Sequence, residues 1–294
     1  TLDDADRLFS ALALIKNPLV IGSSFISLEF LEIFLMNNIT PGLLMRDGHF
    51  FAPYLEEAGG ELMRAHFQRH HIALYEHDEI AQLRHEQTGL MILTKKPQII
   101  SSDALAVGIG IERNLEFLRT SNILYGDTGI RVNEFFQTNQ ENIYAAGDVT
   151  EMIDPRTGNY RATGNWTSAF LQGKHAGLNM SGARKPFTNI PSYSITNLGL
   201  QITMVGDCLP AADLPKGDAR AVNEPNDTIV RVNADPNEYE RLFLADGVLK
   251  GAVLINRFKD RAPIMRLIET QQKIDAYRDK LASFQFDITA IPIV

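Results

Sequence analysis

The chain has 294 residues, of which 45% are hydrophobic, and its formal net charge is −8. This length suits about two domains, and the acidic balance argues against a nucleic-acid binder, which usually carries a basic patch. No apolar run approaches the length that a bilayer span requires. A single cysteine, Cys208, excludes an intramolecular disulfide. We therefore expect a cytoplasmic protein without membrane or nucleic-acid partners.

The first section, residues 1–127, alternates helical and extended patterns. Its acidic, amphipathic start predicts a helix over 3–15 and lacks the form of a signal or transit peptide. Apolar runs and helical spacing then predict strands at 18–22, 41–46, 72–77, 79–84, 90–94, 97–100 and from Asp103, with helices at 25–37 and 55–69. Alternating strands and helices indicate βαβ units, and hence an α/β domain built on a parallel sheet.

Two further sections follow, at 128–190 and 191–294. The former has predicted strands near Ile130 and Ile143, a helix over 163–180 and a turn-rich boundary, GARKPFTNIP. The latter is rich in short strands, with a hairpin around Asp246-Gly247 and helices near 261–270 and 275–282. We predict a small α+β domain for this last section.

The stretch PLVIGSSFISLEFLE, from Pro18, has the form of a dinucleotide-binding turn. Such a turn has three glycines, for a tight turn, for approach to the pyrophosphate and for helix packing; Gly22, Ser24 and Ser27 stand there. Phosphates would lie at the helix N-terminus, so Ser23, Phe25 and Ile26 join the candidate site. The Ser24 hydroxyl could donate to a phosphate. The alternative is a strand–turn–helix corner that binds nothing.

The second predicted strand ends in LLMRDGH, which offers Arg46 followed by Asp47. An acidic residue at this position usually binds ribose hydroxyls, whereas an arginine accommodates the extra phosphate of NADP. The Arg46-Asp47 pair weakly favours NADP over NAD. The alternative for Arg46 is a solvated surface side chain.

The stretch TNQENIYAAGDV (138–149) places a threonine before an apolar strand that ends in Gly147-Asp148. It resembles the second FAD-binding signature of the pyridine nucleotide-disulfide oxidoreductase superfamily. A small Gly147 permits close approach of a ligand, and a strand-end Asp148 can hydrogen-bond the ribityl chain. The alternative is a strand that ends in a polar turn.

The resemblance extends over nearly the whole chain. DALAVGIGIERN (103–114) resembles the strand that closes the family's NAD domain, with Gly108 and Gly110 in place. GNWTSAFLQGKHAGLNMSG (164–182), with Asn165-Trp166, resembles the helix that follows the flavin aspartate. The tail resembles the small C-terminal domain of the rubredoxin reductase and nitrite reductase flavin-module branch. The GSSFI turn resembles the apoptosis-inducing-factor-like branch.

This resemblance implies an NAD(P)H-dependent flavoprotein oxidoreductase with FAD and NAD or NADP as cofactors. Relatives pass electrons to a protein or small acceptor. It implies three domains: an NAD(P)H-binding Rossmann-like domain at 1–127, the second half of a FAD-binding domain at 128–190, and a small C-terminal domain at 191–294. It also places Glu29 near the nicotinamide and flavin, as the catalytic candidate. Cys208 is expected to be a packing residue.

The family's first FAD-binding turn, another G-x-G-x-x-G, does not occur in these residues. Three explanations stay open: a piece of a longer flavoprotein, a separate chain that supplies this half, or a non-catalytic nucleotide-binding or interaction module with a degenerate site. Apolar surface over 140–180 would be a liability without a cover, so we expect a partner segment or an oligomer.

Two other site types have weaker support. His66 and His70 are four residues apart on a predicted helix, a spacing that can hold a metal, but no third ligand stands at a fixed spacing. A surface histidine pair is the preferred interpretation, and no metal site is predicted. No G-x-S-x-G elbow occurs, which argues against a serine hydrolase.

Overall fold

The computed structural model describes residues 1–87, 89–153, 160–209, 226–233 and 237–293. Its contacts divide the chain into two compact units. The first unit is Thr1–Gly110 with Asn197–Leu200, and the second is Ile111–Thr196 with Gln201–Val294. The three-domain division drawn from the sequence stays a prediction.

The first unit holds three helices and seven strands among its described residues. In chain order these are α1 (Leu2–Leu12), β1 (Pro18–Ile21), α2 (Phe25–Met36), β2 (Gly42–Leu44), α3 (Glu57–Arg69), β3 (Ala73–Tyr75), β4 (Ile80–Glu86), β5 (Gly89–Thr94), β6 (Ile99–Ser102) and β7 (Ala104–Val107). A parallel sheet has the order β3-β2-β1-β7. An antiparallel sheet has the order β4-β5-β6. The predicted α/β class with a parallel sheet is confirmed.

Apolar burial explains why the sequence of α2 forms a helix here. Leu28, Leu31 and Phe34 recur at helical spacing, and all three are buried. On β1, Leu19 and Val20 are both buried, as expected for a parallel strand that is covered on both faces. The helix and strand therefore fix the turn between them, at Gly22–Ser24, to a rigid core.

The second unit contains a small sheet, a long helix and a larger antiparallel sheet. Its elements are β8 (Ile130–Val132), β9 (Thr150–Ile153), β10 (Tyr160–Arg161), α4 (Trp166–Met180), β11 (Ser192–Asn197), β12 (Leu200–Gly206), β13 (Asp227–Asn233), β14 (Glu238–Ala245), β15 (Val248–Ile255), α5 (Arg261–Thr270) and α6 (Arg278–Leu281), with Asn197 and Leu200 counted in the first unit. The five-stranded sheet has the order β11-β12-β15-β14-β13. Its central hairpin turns at Asp246-Gly247, where φ is +50° and +80°, as a tight two-residue hairpin requires.

The predicted strand near Ile143 is wrong. The described backbone there forms one isolated bridge, between Gln137 and Tyr144. The amide of Ile143 donates to the carbonyl of Gln140 at 3.0 Å, and the pairing that flanks this turn, Thr138 N–H to Ile143 O and Ala145 N–H to Phe136 O, is too short to make a regular strand. The regular strand comes after the Gly147-Asp148 turn, as β9.

Candidate functional site

The turn after β1 meets the end of the neighbouring strand β7. Gly22 has φ of +109°, and a Cβ at this position would lie 2.4 Å from the carbonyl oxygen of Gly108. Its amide donates to the carbonyl of Leu44 at 2.9 Å. Both the backbone conformation and the lack of space require glycine here.

The two serines of the turn bind one oxygen. Ser24 caps α2, and its Oγ donates to the Gly108 carbonyl at 2.7 Å. Ser27 is fully buried, and its Oγ donates to the same carbonyl at 3.1 Å. A hydroxyl has one proton, and in this geometry that of Ser24 is directed at the Gly108 carbonyl; a contact between Ser24 and a phosphate stays a prediction. The absence of a side chain at Gly108 makes room for the two serines, because a Cβ at this position would lie 2.4 Å from Ser27 Oγ.

The other residues of the predicted turn have different surroundings. The Ser23 hydroxyl donates to Asp47 Oδ2 at 3.4 Å, a long bond, and the ring of Phe25 lies 4.7 Å from that of Phe51. Ile26 is 45% exposed. Gly110 has φ of +122° with open space where its Cβ would be. The turn thus has a tightly packed base and an open rim.

Arg46 and Asp47 follow β2, the strand beside β1. The Arg46 side chain is 76% exposed, and its Nε lies 3.6 Å from Asp47 Oδ1. Because Asp47 also receives the Ser23 hydroxyl, the acidic and not the basic residue contacts the turn. Both remain candidates for the ribose end of a nucleotide.

Glu29 lies on the exposed side of α2. Partial burial raises the pKa of its carboxyl, and the negative charge of Glu32 raises it further. Glu32 is held in place because its Oε1 accepts from the amide of Leu198 at 2.8 Å and its Oε2 accepts from Asn197. Glu29 is therefore more readily protonated than an ordinary glutamate.

The second turn, at Gly147-Asp148, is fastened by a buried amide. Gly147 has φ of +86°, and its N–H donates to Gln172 Oε1 at 2.8 Å. The Thr150 hydroxyl donates to the Gly147 carbonyl at 2.8 Å, and Gln172 Nε2 donates to Thr163 Oγ1 at 2.7 Å. Sequence reasoning did not assign a role to Gln172. The signal that could have found it is its position four residues after Ser168 and four before Ala176, on the buried face of α4.

Asp148 is exposed, with its carbonyl accepting from Arg113 Nε at 2.5 Å. Asn165 caps α4, because its Oδ1 accepts from the amide of Ser168 at 2.8 Å. Trp166 is 83% exposed. The side-chain oxygen of Asn165 is therefore committed to the helix, whereas the Asp148 carboxylate is accessible to a ligand.

The expectation of a surface histidine pair is wrong for His66. His66 is buried, its Nε2 lies 2.9 Å from the Leu198 carbonyl, and its Nδ1 lies 3.1 Å from Arg69 Nη2. A carbonyl only accepts and a guanidinium only donates, so the ring is neutral with its proton on Nε2. Burial lowers the pKa of His66 to about 4. Within the described ranges, no three His, Cys, Asp or Glu side chains are arranged to hold a metal.

Cys208 is confirmed as a packing residue. It is buried, and its Sγ lies 3.3 Å from the carbonyl oxygens of Val205 and Ala252. Burial raises the pKa of the thiol to about 12, so the thiolate that nucleophilic chemistry needs is absent at neutral pH. No helix in the described part of the chain has the length and apolar character to cross a membrane.

The family model described as pyridine nucleotide-disulphide oxidoreductase matches residues 1–173. The chain belongs to this family. Among relatives in the family, human apoptosis-inducing factor 3 is 26% identical over 248 residues, which cover 80% of this chain and 41% of that protein. The NADH oxidase of Methanocaldococcus jannaschii is 28% identical over 71% of this chain and 51% of its own length.

Solved structures show the same fold. Putidaredoxin reductase, in its covalent complex with putidaredoxin, matches with a TM-score of 0.81 and 17% identity over 98% of this chain and 66% of that one. A NAD-dependent persulfide reductase from A. fulgidus matches with a TM-score of 0.79 and 19% identity over 94% of this chain and 53% of that one. The chain therefore spans about half to two thirds of the length of these proteins.

Proposed function

We propose that this chain forms the NAD(P)H-binding part, and a portion of the flavin-binding part, of a FAD-dependent oxidoreductase. NAD(P)H reduces FAD, and the electrons pass to a protein or small acceptor. The observation that carries the proposal is the glycine turn between β1 and α2, packed against Gly108 at its base and open at Gly110. Membership of the family supports it.

The first turn fits a dinucleotide. The leading N–H groups of a helix have no intrahelical acceptor, and the helix dipole favours an anion there. In α2 this end includes Phe25 and Ile26, and Gly108, two residues before the open Gly110, packs against Ser27. The pyrophosphate would lie over this end, and Glu29, on the following turn of the same helix, would lie toward the nicotinamide.

The second turn fits part of a flavin nucleotide. Gly147 leaves no side chain above the turn, and the exposed Asp148 carboxylate can accept hydrogen bonds from ribityl hydroxyls. Bound FAD would supply the hydride acceptor and the one-electron chemistry. The protein would supply position through Gln172, which fixes the Gly147 amide.

Nucleotide choice and acceptor are finer parts of the proposal. Arg46 would favour NADPH through the extra phosphate, whereas Asp47 would favour NADH through the ribose hydroxyls. Relatives named as ferredoxin–NAD(+) reductase components, from Photorhabdus laumondii and Pseudomonas putida, support a ferredoxin-type acceptor. A further segment or a partner chain would supply the other FAD-binding turn, in an oligomer. The cytoplasm stays the predicted compartment.

The test combines a visible spectrum with nucleotide titration. The purified protein is examined for flavin absorption, with and without added FAD, and NADH or NADPH is then titrated by fluorescence. We expect saturable binding of one nucleotide and bleaching of any flavin band. Absence of binding by both nucleotides would overturn the proposal and favour a non-catalytic module.

A further inference from the structure

The two serines that replace glycines in the first turn are matched by a glycine, Gly108, on the segment that packs against them. Ser24 and Ser27 stand where the dinucleotide turn has its second and third glycines, and both hydroxyls point to the carbonyl oxygen of Gly108. Gly108 itself has no room for a Cβ, which would lie 2.4 Å from Ser27 Oγ and 3.1 Å from Ser24 Oγ. The serine side chains of the β1–α2 turn therefore occupy the space that Gly108 leaves free.

The two serine hydroxyls share one network. Both lie within donating distance of the Gly108 oxygen, their Oγ atoms lie 3.3 Å apart, and Ser24 Oγ also accepts from the amide of Ser27 at 3.3 Å. The amide of Gly108 donates to the carbonyl of Ile21 at 2.8 Å. The peptide group before Gly108 and the one after it are therefore both bonded to the β1–α2 segment.

We infer that Ser24 and Ser27 are positioning residues that hold the Gly108 carbonyl, and through it fix the Gly108–Gly110 segment relative to the β1–α2 turn. The inference rests on the proposed function, in which the nucleotide lies against both segments. Neither hydroxyl contacts a phosphate. Gly110 is open and has φ of +122°, so this segment depends on its base for a defined position.

Ser27 separates positioning from direct contact. Its side chain is fully buried, so it is out of reach of a nucleotide, and its hydroxyl bonds the Gly108 carbonyl and lies 3.3 Å from Ser24 Oγ. Ser24 is part-buried and also caps α2, so its removal changes two features at once. Ser27→Ala is therefore the decisive variant, and Ser24→Ala is the second.

The experiment measures the dissociation constants of NADH and NADPH by fluorescence titration, well below the unfolding midpoint of each variant. For Ser27→Ala we expect binding of the preferred nucleotide to weaken about three- to tenfold, the usual net value of one hydrogen bond. Ser24→Ala should weaken it at least as much. The matched control is Ser10→Ala, which removes an exposed hydroxyl that donates to the Asp6 carbonyl at 2.8 Å in α1; its affinity should equal that of the wild type.

Three results would overturn the inference, and they are distinguishable. Unchanged affinity in Ser27→Ala with a lowered unfolding midpoint would mean a structural role only. Loss in Ser24→Ala without loss in Ser27→Ala would mean that Ser24 contacts the phosphate. Failure of the wild type to bind either nucleotide would overturn the proposed function together with this inference.

Discussion

The two glycine turns of the molecule are fastened in opposite ways. In the first unit, the turn offers hydroxyl donors to a carbonyl, that of Gly108, just after the neighbouring strand β7. In the second unit, the turn offers its own amide, that of Gly147, to an acceptor on a helix, Gln172. Each turn is thus held by a buried polar side chain at its base, and its rim stays open.

The difference concerns what each arrangement leaves accessible. Fastening through hydroxyls at a helix cap leaves the helix N-terminus facing outward, which suits an anionic phosphate. Fastening through a glycine amide leaves an exposed carboxylate, that of Asp148, which suits the hydroxyls of a sugar chain. The two turns therefore differ both in their buried contacts and in the groups that they leave exposed.

The largest expected effect comes from Gly22, and Gly147 is its counterpart in the second turn. Gly22→Ala should lower the free energy of unfolding by about 3 kcal/mol or more, because it combines a positive φ with a clash against a backbone carbonyl. Gly147→Ala should cost about 1–2 kcal/mol, because its Cβ would meet Ala169 at an ordinary 3.5 Å. Urea unfolding of each variant measures both.

The matched control for these substitutions is Gly173→Ala, which lies within α4 in open space. Alanine is the better helix former, so this variant should gain about 0.5–1 kcal/mol. Equal losses for Gly22→Ala and Gly147→Ala would contradict the proposed difference between the turns.

The next effect concerns the fastening of the second turn. Gln172→Leu removes the acceptor for Gly147 N–H and the donor to Thr163, so it should cost about 2 kcal/mol through buried unsatisfied groups. Any flavin bound should also be lost more readily. Lys174→Leu, on the exposed side of the same helix, should change stability by less than about 0.5 kcal/mol. Equal stability of the two variants would show that Gln172 does not hold the turn.

The smallest expected effect is a pH dependence of the folding stability that comes from His66, in the first unit. Above pH 6.5, the ordinary pKa of His66, both folded and unfolded states are neutral. As pH falls toward 4, only the unfolded state takes the proton, so folding loses stability, by about 1 kcal/mol at about pH 5.5. His66→Gln should remove this slope in urea unfolding across the range, whereas His71→Asn, at an exposed position, should retain it. If the stability of His66→Gln fell with pH as steeply as that of the wild type, the assignment of this pH dependence to His66 would be wrong.

Local patterns predicted the elements that frame both turns. The apolar run before Gly22 became β1, the spacing after it became α2, and Asp246-Gly247 became a hairpin turn, because each depends on neighbours within one turn or strand. The strand near Ile143 failed for a local reason as well, since the Gln140 turn restricts its pairing.

The contacts that define the site were beyond this kind of reasoning. Ser27 and Gly108 are 81 residues apart, and His66 and Leu198 are 132 apart. Nothing near Ser27 in the sequence indicates that the Gly108 carbonyl, just after β7, will accept its hydrogen bond, so the serine stood only as a departure from the third glycine. Only the packing of β1 beside β7 changes that interpretation.

Trp166 is the one tryptophan of the chain, and its indole stands almost wholly in water at the first position of α4. The tryptophan fluorescence of the chain therefore comes from one position, on the helix that carries Gln172, whose side chain accepts from the Gly147 amide. The isoalloxazine ring absorbs where indole emits. The fluorescence of Trp166 can therefore report a ligand that binds at the second turn.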